Sequence, residues 1–166
     1  MTTTEGFLTM SRRDLRLELE ELYAEYVACL DEERLEEWPE FFTDDAVYRI
    51  IPRENFERGL PIATLHCESK GYLKDRVIAI RQTSVYAPRY VRRLVSNIRV
   101  LGWRDEALHV RANYAAFETL RDELTRVFSV GRCHDTLVVA DGRLKFKEKL
   151  VIFDSELIPN SLIYPL

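Results

Sequence analysis

The sequence predicts an α+β fold in which N-terminal helices pack on one face of a strongly curved, mainly antiparallel sheet. Three observations predict it. Apolar side chains recur every three or four residues in two stretches before residue 83. From residue 89 onward the repeat shortens to two, the period of a half-buried strand. Asp141-Gly142, between the last two such runs, is a dipeptide suited to a tight hairpin.

Ser11 opens the first helix, with Asp14 at the capping-box position three residues on. Leu15, Leu19, Leu22, Tyr26 and Leu30 follow as one apolar stripe with charged residues around it. The stripe spans too few heptads for a coiled coil, so it is read as core packing. A short second helix is expected over residues 34–42, carrying Leu35, Trp38, Phe41 and Phe42. Pro39 is tolerated there within a first turn. The run from Ala46 to Ile51, stopped by Pro52, reads as a strand, and residues 62–67 as a second short one. Leu73, Val77 and Ile80 return to helical spacing across residues 69–82. In the strand that follows, Leu94, Ile98 and Val100 share one parity, and Arg93, Asn97 and Arg99 the other. Leu108, Val110, Ala112, Tyr114 and Ala116 alternate against His109, Arg111 and Asn113 in the next. A third run opens at Val127 and Phe128, and after the hairpin Leu144, Phe146, Glu148, Leu150 and Ile152 alternate with lysines. Residues 1–10 are expected to be a flexible start and residues 11–166 a single domain.

Bulk properties narrow the function. The net charge of −4 gives no footprint for nucleic-acid binding. No apolar run reaches the length needed to span a membrane, and the start lacks the pattern of a signal peptide. Cys29, Cys67 and Cys133 are odd in number and widely spaced, which points to reduced thiols and a cytoplasmic protein.

A metal centre needs His, Cys or carboxylate groups brought to one point. The adjacent pairs here, His66-Cys67 and Cys133-His134, fall on strands, where neighbours face opposite ways. A site assembled from His66, His109 and His134 remains open. No phosphate-binding glycine loop or nucleophile elbow is present. What remains is the acid pair in "FFTDDAVY". Asp45 could act as a general base with Tyr48 or His66 in a cone-shaped pocket, as in a stand-alone dehydratase, isomerase or cyclase. Alternatively Thr43, Asp44 and Asp45 form the turn that leads into the strand.

Three segments carry a family resemblance: "EEWPEFFTDDAVYRI", "YLKDRVIAIRQTSVYAPRYVRRLVSNIRV" and "GRLKFKEKLVIFDSELIPNSLIYPL". In order and content the chain resembles the small (beta) subunits of aromatic-ring-hydroxylating dioxygenases, within the cone-shaped, nuclear-transport-factor-2-like (NTF2-like) superfamily. The resemblance implies a chain without cofactor or catalytic group of its own. The Rieske [2Fe-2S] cluster and mononuclear iron then belong to a large (alpha) subunit, in an assembly of three large and three small chains. It also makes Asp44 and Asp45 structural, and aromatic acids the nearest substrate class.

The end of the chain suggests where such an assembly is held. Leu157, Ile158, Leu162, Ile163, Tyr164 and Leu166 crowd the last ten residues with apolar groups. Arg89, Arg92 and Arg93 stand beside Tyr86 and Tyr90, residue types favoured at interfaces. Both segments are expected to help hold the oligomer.

Overall fold

The computed structural model describes residues 4–155, 157 and 162–166. Helix α1 (Thr4–Thr9) precedes the long helix α2 (Arg12–Asp31). Residues 4–9 therefore depart from the flexible start expected of them, because Phe7 is buried against the core. Ser11 caps α2 as predicted: its hydroxyl oxygen accepts from the Asp14 backbone N–H at 3.1 Å. Leu15, Leu19, Tyr26 and Leu30 are buried, Leu22 is half-buried, and Tyr23 and Cys29 widen the stripe.

The expected second helix is only a 3-10 turn (Trp38–Phe41), and Phe42 already begins strand β1 (Phe42–Pro52). Pro39 supplies no N–H to extend a helix, and the Phe42 side chain is fully buried against Trp38 and Tyr48. Then come α3 (Arg53–Glu57), β2 (Leu65–Cys67) and α4 (Lys70–Ile78), which runs on into a π turn (Ala79–Thr83). Four long strands complete the order: β3 (Arg89–Arg104), β4 (Ala107–Leu120), β5 (Arg126–Ala140) and β6 (Arg143–Phe153).

The strands form one sheet in the order β2-β1-β6-β5-β4-β3. All neighbours are antiparallel except β1 and β6, which run parallel. The β3–β4 hairpin turns on Asp105 and Glu106, both at positive φ, and the β5–β6 hairpin on Asp141 and Gly142, as expected. Gly131 lets β5 meet β6 closely, since a Cβ there would lie 2.0 Å from the Ile152 carbonyl oxygen.

Two bulges reset the alternation expected of the strands. Asn97 adopts a left-handed φ of 53° where the β3–β4 register shifts. Before it Val91, Arg93 and Val95 face the core; after it Ile98 and Val100 do. Arg93 is thus buried and Leu94 exposed, the reverse of the parity predicted from Ile98 and Val100. In β6, Lys147 has no partner between the pairs Leu137–Phe146 and Thr136–Glu148. Leu144 and Phe146 face the main core, but beyond the bulge Lys149, Val151 and Phe153 take over that face. Leu150 and Ile152 turn to the other side, where Ile51 and Phe56 cover them.

The sheet curls around α2, and the main core lies inside the resulting cone. Trp38, Tyr23, Tyr26, Tyr48, Phe42 and Phe146 are its largest fully buried side chains. Most of their rings meet edge-on at centroid distances of 5.4–6.2 Å, a favourable aromatic geometry.

Candidate functional site

The three residues proposed from the sequence as an acid–base group are not brought together. Asp45 is exposed in the irregular start of β1, where its Oδ1 accepts from the Thr43 hydroxyl at 2.8 Å. This is the local contact expected of a turn. Tyr48 points into the core and is fully buried. His66 pairs across the sheet with Arg49, whereas Tyr48 pairs with Cys67, so His66 and Tyr48 lie on opposite faces.

The other metal-type donors are equally dispersed. His109 Nδ1 lies 3.4 Å from the Thr136 hydroxyl on the outer face of the sheet. His134, also outside, stands edge-on to Phe56, and burial, then Arg111 and Arg132, push its pKa down to about 4. The three thiols are buried; burial raises Cys29 to about 11 and Cys133 to about 12. Among the described residues no three His, Cys, Asp or Glu side chains are placed to hold a metal ion. The donor set does not fit an iron or iron–sulfur centre.

Inside the cone stands a polar group that the sequence pattern did not mark. The buried Lys149 ammonium donates to Asp135 Oδ2 at 3.0 Å, and Tyr23 donates its hydroxyl to the same oxygen at 2.5 Å. The ammonium also lies 4.7 Å from the Phe146 ring centroid and 4.9 Å from that of Tyr26. Burial raises the Asp135 carboxyl above its ordinary range against the opposing pull of Lys149. For Lys149, burial pulls downward, but Asp135, with Cys133 and Tyr48, offsets it and the amine ends raised. The cross-strand pairing Asp135–Lys149 is the signal that could have found this pair, once the β6 bulge was known.

The open end of the cone is closed by the chain itself. Ile163, Tyr164 and Leu166 are buried and belong to the main core. The Leu166 carbonyl oxygen accepts from Tyr26 at 3.0 Å and from Tyr48 at 3.1 Å, and the Leu166 N–H donates to Tyr48 at 2.9 Å. Arg76 donates to the carbonyls of Leu162 and Ile163, and Arg93 to that of Pro165. Tyr164 and Tyr86 share a hydrogen bond at 3.0 Å. What remains at the mouth is a pocket of about 20 Å³ lined by groups such as Ile50, Phe128 and Leu157, room for a water molecule and not for an aromatic substrate. Arg93, Leu162, Ile163, Tyr164 and Leu166 were expected at an interface; they pack within their own chain. Ile158 lies outside the described residues.

Of that interface group, Tyr90 (80% exposed) stands on the outer face of β3, as does Arg92, whose largely exposed guanidinium reaches Asp31 at 3.8 Å. Arg89 instead pairs with the buried Glu118, which Arg126 also reaches. Around Tyr90 and Arg92 the outer face is apolar: Leu94 sits beside Ala115 and Val130, and Phe117 beside Val127. Farther along it becomes cationic. Arg99 stands directly opposite Arg111, and Arg111 opposite His134, with Arg132 next in the groove. Like charges placed opposite each other repel. Among the described residues neither Arg99 nor Arg111 has a salt bridge; Arg132 reaches Glu57 at 3.8 Å, while its buried Nε has no hydrogen-bond partner. The groove they line, with Phe56 on one wall, measures about 710 Å³.

A family model described as the ring hydroxylating beta subunit matches residues 26–160. The chain belongs to that family. The small subunit of anthranilate 1,2-dioxygenase from Burkholderia cepacia is 34% identical over 141 residues, which cover 85% of this chain and 88% of the relative. A beta subunit of the terminal oxygenase component of terephthalate 1,2-dioxygenase from Comamonas sp is 25% identical over 143 residues, 86% of this chain and 93% of that one. Among solved structures, a beta subunit from Novosphingobium aromaticivorans, assigned to an aromatic-ring-hydroxylating dioxygenase, superposes with a TM-score of 0.84. It is 33% identical, and the match covers 93% of this chain and 98% of that one. The architecture of this ring-hydroxylating beta subunit is the NTF2-like cone, and no helix among its described residues is long and apolar enough to cross a membrane.

Proposed function

We propose that this beta subunit is a non-catalytic scaffold for an iron-bearing large subunit in the oxidation of aromatic carboxylic acids. Three copies join three large subunits, and the Rieske cluster and mononuclear iron reside in the large chain. The observation that carries this reading is the closed cone. In a curved-sheet enzyme the cone is where a ligand would sit, and here Leu166 and its neighbours fill it. The dispersal of Asp45, Tyr48 and His66 supports the same reading, as do the aromatic acids for which the anthranilate and terephthalate relatives are named.

The outer face of β3–β5 is the docking surface for the large subunit. Its apolar end supplies area, and its unpaired arginines call for carboxylates on the other side. Co-expression with the large subunit of a ring-hydroxylating oxygenase tests the proposal. The purified beta subunit alone should hold no iron and oxidise no aromatic acid; the co-purified pair, given an electron donor, should do both. Stoichiometric iron in the isolated beta subunit, or turnover without the large chain, would refute the scaffold role.

A further inference from the structure

Segment 162–166, Leu-Ile-Tyr-Pro-Leu, is held in the way a protein holds a peptide ligand. Four elements each send one side chain to its backbone: Tyr26 from α2, Tyr48 from β1, Arg76 from α4 and Arg93 from β3. Together they reach the carbonyls of Leu162, Ile163, Pro165 and Leu166 and the N–H of Leu166.

Two of the four donors are held by hydrogen bonds outside the segment, and the Tyr48 ring packs edge-on against Trp38 and Phe42. Trp38 donates its Nε1–H to the Tyr26 hydroxyl oxygen at 3.1 Å, which leaves the Tyr26 proton to point at Leu166. Asp31 holds Arg93 twice, through the guanidinium at 2.5 Å and through the backbone N–H at 3.0 Å. Burial raises the Tyr26 and Tyr48 hydroxyls above their ordinary range, so both remain protonated donors. A preorganised set of donors lowers the ordering cost of whatever binds to it. The match in chemistry is specific: three of the four side chains only donate here, and the segment offers four carbonyls and a proline, which has no N–H to satisfy.

We propose that the mouth of the cone is a peptide-binding site and that residues 162–166 are its ligand carried in cis. The class of ligand it takes is a short apolar peptide read through its carbonyl groups.

The test uses a chain ending at residue 161 and the free pentapeptide Leu-Ile-Tyr-Pro-Leu, followed by calorimetry and Trp fluorescence. The truncated chain should bind the peptide saturably and regain thermal stability, while the intact chain binds none. The wild-type peptide should bind truncated Tyr48→Phe at least about tenfold more weakly, since that variant loses both hydrogen bonds to Leu166. A folded truncated chain without saturable binding at millimolar peptide overturns the proposal, as does equal binding to the Tyr48→Phe variant. Should truncation prevent folding, a protease site inserted between residues 157 and 162 allows cleavage after folding. A cleaved segment that stays bound and exchanges with labelled pentapeptide supports the proposal. One that is lost at once from a folded chain, or that never exchanges, overturns it. No large subunit takes part, so failure here leaves the scaffold reading untouched.

Discussion

Lys149 shows how much one side chain carries in this fold. Its ammonium is enclosed by Asp135, Tyr23, Tyr26 and Phe146 with no access to water. Removing one member of such a pair strands the other as an unpaired buried group, which costs about 3–5 kcal/mol. Lys149→Met should therefore lower the urea midpoint strongly, and the double variant Lys149→Met/Asp135→Asn should recover part of the loss. His134 makes a second prediction. Its folded pKa is about 4, below the ordinary value of 6.5, because burial and two arginines disfavour the charged ring. A base depressed by folding favours the folded state fully above about pH 6.5, and that contribution is lost as pH falls toward 4. Denaturation at a series of pH values should show this acid limb, and His134→Phe, which keeps an aromatic contact with Phe56, should flatten it.

Among elements, β3 and β6 depend on single extra residues. The bulge at Asn97 turns Arg93 inward to meet Asp31 and the Pro165 carbonyl, while Ile98 and Val100 keep the apolar face beyond it. Asparagine tolerates the left-handed backbone there, whereas a β-branched residue pays steric strain of about 1–2 kcal/mol. Asn97→Gly should leave stability nearly unchanged, and Asn97→Val should lower it by about that amount in chemical denaturation. In β1, Thr43 and Asp45 bridge side chains where the β1–β6 register shifts.

The whole molecule has two unlike sides. Inside the cone, charges are paired and the mouth is closed by residues 162–166. Outside, on β3–β5, arginines stand opposite one another beside an exposed apolar strip. If that side receives carboxylates from the large subunit, charge reversal must repel it. The double variant Arg99→Glu/Arg111→Glu should fold as well as the parent and capture the large subunit at least about tenfold more weakly, with reduced sensitivity to salt. Pull-downs at two ionic strengths check this, and undiminished capture would move the interface to another face.

Much of the architecture was legible because it is local. The Ser11 cap, the α2 stripe, the alternation of β4 and the Asp141-Gly142 turn each arise from residues within a few positions of one another. The family resemblance, read from ordered segments of the chain, is met by the match over residues 26–160. The parity of β3 before Asn97 and of β6 beyond Lys147 was not legible, since one inserted residue reverses a two-residue period without changing composition. Nor could spacing show that Tyr48 and His66 fall on opposite faces, that Asp135 meets Lys149, or that Leu166 returns to Tyr26, 140 positions away. Those facts depend on which strands pair and where the chain closes on itself. The sequence by itself determined the family and the order and type of the long elements, because local periodicity and capping record how each one buries a face. Only the tertiary structure decided that the cone is filled and which arginines stay unmatched, because both are set by contacts between residues far apart in the chain.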